Sequence, residues 1–290
     1  MRPSAVMRLD PGMKLALAAL ATAACHKAPA PLAHTDPATL ITPDVTGIMR
    51  SSPSDSPILG YTHELVHSDC VKEIEGKLRG AYQLEVAHNN YFLFQGDVSR
   101  DAVESCIGKA EGLEVSRDGE LLVIGLLDKH AYIGWRGDVI VAGTKAQVTA
   151  ALAEHDDALA RTWRDKIAAL PPGKFAMMTQ QPVFSALLGV PTRGMTMSAD
   201  ITGPRQFALR FIVECIDPAG AEAARAQLAT GQLPPGMDPP PDIKAGLQKL
   251  KPTVTGAHLE ITIDQDTFTN IDLPMLQQWV ADATKSLAGQ

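Results

Sequence analysis

Period-two alternation marks most of the strands in this chain. Tyr82, Leu84 and Val86 alternate with polar positions, and His88-Asn89-Asn90 then turns the chain into an apolar run over 91–95. Short runs follow near 113–117, 120–127, 131–135 and 138–142, separated by Asp118-Gly119, Asp128-Lys129 and Arg136-Gly137. Connections that short permit only antiparallel pairing. Further strands are predicted over 175–178, 195–202, 207–216 and 259–263. Within 207–216, Phe207, Leu209, Phe211, Val213 and Cys215 share one face, while Arg210 and Glu214 share the other. That pattern is of a sheet covered on one side only.

Helical spacing fills the intervals. Ser56-Pro57 starts a helix with Ile58, Leu59, Thr62, Leu65 and Val66 on one face, and a second is predicted over 70–79 behind Asp69. Ser99 caps a helix to about residue 110, and Thr144 caps one carrying Val148, Ala151 and Leu152. Helices over 159–170, 182–188 and 219–229 follow, then a proline-rich loop at 231–242. A last helix has the stripe Leu273, Leu276, Val280, Ala283 and Leu287. The predicted class is α+β, antiparallel sheets with helices packed on one face, in halves spanning 57–156 and 157–290. The two halves are similar in outline, with no residue-level repeat.

The amino terminus follows different rules. Arg2, Arg8 and Lys14 precede an apolar run over 15–24, which is far short of the roughly 20 residues that span a bilayer. It ends in Thr22-Ala23-Ala24-Cys25. This junction resembles the lipobox of bacterial lipoprotein precursors, although Thr22 stands where leucine is usual, and a plain secretory signal is the alternative. The resemblance implies cleavage after residue 24, acylation of Cys25 and attachment to a membrane through that lipid. His26, rather than Asp, after the cysteine implies the outer membrane, with the domain in the periplasm or at the cell surface. Residues 25–56, with prolines at 29, 31, 37, 43 and 53, read as a tether.

Loss of residues 1–24 removes three cations and one anion, so the formal net charge moves from −7 to −9. An acidic surface argues against nucleic acid as a partner. Of the remaining cysteines, Cys70 and Cys106 fall on predicted helices with apolar neighbours and are expected to form a disulfide; two reduced core thiols are the alternative. Cys215 lies on a covered strand face.

His63-Glu64-Leu65-Val66-His67 matches H-E-x-x-H, in which His63 and His67 would bind zinc and Glu64 would activate its water. Three observations oppose that use. The inward face of this helix is Ile58, Leu59, Leu65 and Val66, so the histidines lie at the polar edge. Ser68-Asp69 ends the helix directly after His67. No third ligand has a supporting motif. Asp264, Asp266 and Asp272 resemble a calcium loop only loosely, because Phe268 occupies a ligand position, and capping is the expected role. The expected function is therefore a non-enzymatic, lipid-anchored envelope protein, without cofactor, that binds a protein or small molecule. A zinc metallopeptidase is the alternative, and a carrier of an apolar ligand beneath the covered sheet is a third reading.

Overall fold

The computed structural model describes residues 32–55, 69–87, 90–107, 113–126, 129–153, 155–182, 184–230, 239–276 and 278–279. The chain divides into two compact units, with the border between Ala169 and Leu170. The expected α+β class is what the chain adopts: antiparallel sheet with seven α-helices among the described residues.

In the first unit the strands are β1 (Gly47–Ser51), β2 (Leu78–Glu85), β3 (Tyr91–Gly96), β4 (Glu114–Asp118), β5 (Leu121–Leu126), β6 (Lys129–Arg136) and β7 (Val139–Gly143). They are ordered β1-β2-β3-β7-β6-β5-β4. The anticipated hairpins β4–β5, β5–β6 and β6–β7 all form, in antiparallel register. Gly119 and Gly137 take φ of 60° and 55° in the first and third of these turns, a conformation only glycine adopts without strain.

Helices α1 (Asp69–Glu75) and α2 (Arg100–Ile107) press Cys70, Ile74, Ala102 and Val103 onto Phe92, Phe94, Ile133 and Ile140. Helix α3 (Lys145–Leu152) covers the reverse face, where a Cβ on Gly134 would fall 2.4 Å from Leu152 Cδ1. Thr144 and Gln147 close its start as a capping box. Helix α1 stops at Glu75, four residues before the expected end. Lys77 N–H bonds to Ile74 O, and Leu78 already pairs with Gly96, because β2 is needed between β1 and β3.

The tether expected through residue 56 is corrected over its second part. Residues 37–40 form a 3-10 turn, β1 pairs with β2 from Gly47↔Glu85 to Ser51↔Ala81, and Leu40 and Ile41 are fully buried. Tyr91, also buried, donates its hydroxyl to Leu40 O and accepts from Thr42 N–H. Burial pushes that hydroxyl up to about 12, against the opposing bonds with Thr42, so it stays protonated. Helix α4 (Asp157–Ala168) packs on the same turn, with Arg164 paired to Asp36. The first unit therefore runs through Ala169 and not to 156.

In the second unit the strands are β8 (Phe175–Thr179), β9 (Thr192–Gly203), β10 (Gln206–Cys215), β11 (Thr253–Thr255) and β12 (His258–Asp264), ordered β11-β12-β10-β9-β8. Helices α5 (Ser185–Leu188), α6 (Pro218–Ala229) and α7 (Pro241–Leu247) contribute Leu188, Ala224, Leu228, Ile243 and Leu247 to the core over one sheet face. Helix α7 occupies part of the stretch read as loop. Pro241 is its first residue, where the missing N–H costs nothing. On β10 the reverse face is open, with Arg210 paired to Glu260 at 2.6 Å, as the alternation predicted.

Candidate functional site

Cys25, His63, Glu64 and His67 lie outside the described residues, as does the side chain of Cys106. Cys70 is partly buried on α1 against the first unit's core, and the free cysteine among the described residues is the buried Cys215. Burial, and then the neighbouring charge of Asp217, push the Cys215 thiol up. Asp264 accepts from Thr267 N–H and Oγ1–H, and those bonds hold its carboxyl below the usual range. Asp272 accepts from Met275 N–H. Both carboxylates thus cap local turns.

The second unit offers a more specific surface. Register aligns three rows of side chains across the covered face of β8, β9 and β10: Phe175–Ala199–Leu209, Met177–Met197–Phe211 and Thr179–Met195–Val213. Ala199 and Leu209 on one side, and Thr179, Met195 and Val213 on the other, are buried. The middle row is only partly buried, although β9 and β10 each have a strand on both sides. Phe184, just before α5, meets Phe211 edge-on at 5.9 Å between ring centroids and is likewise part-exposed.

The result is a row of partly buried apolar side chains, Met177, Met197 and Phe211, with Phe184 packed edge-on against Phe211. The row crosses three strands and so spans roughly 10 Å across the sheet. No charged residue belongs to that row. Methionine thioethers are soft and adapt to a flexible ligand. Sequence alternation placed Phe211 on the covered face, but it carries no information on which covered positions remain open.

A second constellation sits at the β6–β7 turn. The Asp138 side chain is 1% exposed and takes the Thr35 N–H at 2.6 Å, His34 Nδ1 at 3.1 Å, Gln95 Nε2 at 3.4 Å and the guanidinium of Arg79. Its own N–H bonds to Ala33 O. Burial raises the Asp138 carboxyl, but the bonds from Thr35, His34 and Gln95 together outweigh it and hold the group below its ordinary range. A Cβ on Gly137 would fall 2.1 Å from Ala33 O, so this close crossing also requires glycine. No sequence motif announces this post, because its partners stand 43 to 105 residues from it.

No family model matches the chain, and no curated protein matches it. Among solved structures it is similar to crystal form I of TP0453, at 10% identity and TM-score 0.49 over 86% of this chain and 98% of that one. Crystal form III of TP0453 gives 9% identity and TM-score 0.49 over 82% and 98%, respectively.

Proposed function

We propose that this chain is a non-enzymatic, lipid-anchored protein of the bacterial envelope, held in the outer membrane through Cys25, whose second unit binds a linear apolar molecule in a slot along the Met177–Met197–Phe211 row. The part-open middle row carries the binding half of this reading. A row on the covered side of an interior strand is ordinarily sealed, and leaving apolar area open there forgoes about 25 cal/mol for each Å² that stays wet. A ligand that covers the row recovers that energy. The anchoring half is supported by Ala23-Ala24-Cys25 following a short apolar run.

The test is titration of the purified protein with a fluorescent fatty acid, followed by emission and by competition with unlabelled fatty acid. Wild type is expected to bind with saturation, and Met197→Glu, which places a carboxylate on the slot floor, to lose binding while its melting temperature shows it folded. Equal binding by both proteins overturns the assignment. The alternative, a zinc peptidase at His63, Glu64 and His67, rests on the sequence motif and is tested separately below.

A further inference from the structure

We propose that the Asp138 post fixes which end of the first unit faces the bilayer: the end formed by the β6–β7 turn and the start of β2 is turned toward the membrane surface. This rests on the lipid-anchored reading above. Cys25 and Ala33 are separated by His26, Lys27, Ala28, Pro29, Ala30, Pro31 and Leu32. Eight residue steps, fully extended, reach at most roughly 26–29 Å. From Ala33 onward the chain is held. Ala33 O is bonded to Asp138 N–H, Thr35 N–H to the Asp138 carboxylate and Thr35 O to Gln95 Nε2 at 3.2 Å, and Asp36 is paired with Arg164.

The post lies at one end of the strands. Gly96 N–H bonds to Asp138 O and Leu78 pairs with Gly96, which brings the start of β2, the end of β3 and the start of β7 together there. The other end of β6, at His130, is roughly 20 Å away along the strand. A unit of about 140 residues has a radius of gyration of about 14 Å, and a path from pole to pole over its surface is roughly 58 Å. Even fully extended, residues 26–32 reach only about half that length. That reach lets the unit tilt but not roll over, so the pinned end stays near the headgroups and the His130 end is held away. A tether running to residue 56 would have imposed no such orientation.

The experiment uses full-length protein whose diacylglyceryl group on Cys25 has been verified by mass, reconstituted into phosphatidylethanolamine/phosphatidylglycerol vesicles that carry a headgroup-attached nitroxide quencher. A fluorophore is placed at Lys77→Cys beside the pinned end or at His130→Cys at the far end. The expected result is loss of emission at position 77 and little loss at 130. Insertion of a long Gly/Ser segment after Ala28 is expected to abolish the difference. Equal quenching at both positions, or stronger quenching at 130, in lipidated protein overturns the proposal alone. Absence of lipid on Cys25 overturns the anchored reading itself, and the orientation with it.

Discussion

Asp138 and Thr35 are 103 residues apart in sequence, yet the buried carboxylate accepts the Thr35 backbone N–H at 2.6 Å. That bond and its neighbours convert a proline-rich leader into part of a folded unit. Removal of the carboxylate strands several donors at once, in a place water reaches poorly.

Asp138→Ala is therefore expected to destabilise the first unit by roughly 2–4 kcal/mol, measured by urea unfolding. Asp138→Asn, which keeps the shape, should cost less. Because the folded carboxyl lies below its ordinary 3.8, its contribution is complete above that value and is lost as pH falls through and below it. Glu260 and Asp264 are also lowered and act with the same sign, so the pH effect of Asp138 is the difference between wild type and Asp138→Asn. That difference should narrow below about pH 4; a constant gap down to pH 2 would show that the carboxylate's charge is not what holds the segment.

Gly246 on α7 faces Phe268, and a Cβ there would lie 2.3 Å from the ring at Cδ1. Phe268 is 1% exposed and cannot swing aside freely. Gly246→Ala is expected to lower stability by about 1–3 kcal/mol, and Gly246→Ala combined with Phe268→Leu to recover part of it. Calorimetry on the single and double variants gives the answer; an unaltered melting temperature for Gly246→Ala would contradict the packing described.

For the cysteines, a non-reduced peptide map of protein expressed in the periplasm should link Cys70 to Cys106. Cys70 on α1 and Val103 on α2 both pack on the first unit's core. Cys215, buried and with its thiol pushed up, should alkylate only on unfolding. Fast labelling of Cys215 in the native protein, or its recovery in a bridge, would refute this assignment.

Metal analysis addresses the zinc alternative. Protein dialysed without chelator is expected to carry well under one zinc per chain, and Glu64→Ala to leave the melting temperature and fatty-acid binding unchanged. A tightly held equivalent of zinc, with peptidase activity abolished by Glu64→Ala in folded protein, would replace the proposed function with the hydrolase.

Local chemistry determined much of this protein by itself. The alternation over Phe207–Cys215 fixed which face of β10 is covered, the short turns at Gly119 and Gly137 fixed antiparallel hairpins, and Thr144, with Gln147 three residues on, fixed where α3 begins. Each depends on residues a few positions apart, so it is written in the order of the chain. Only the tertiary structure decided the rest. Residues 32–55 lack a period, and their places in the core and on the sheet come from Tyr91, β2, Asp138 and Arg164, 30 to 128 residues away. Helix α1 ends early because β2 is wanted by strands on both sides. The row Met177, Met197 and Phe211 is the clearest case: sequence can assign a side chain to the covered face, but how much of it the overlying elements leave exposed belongs to none of them alone.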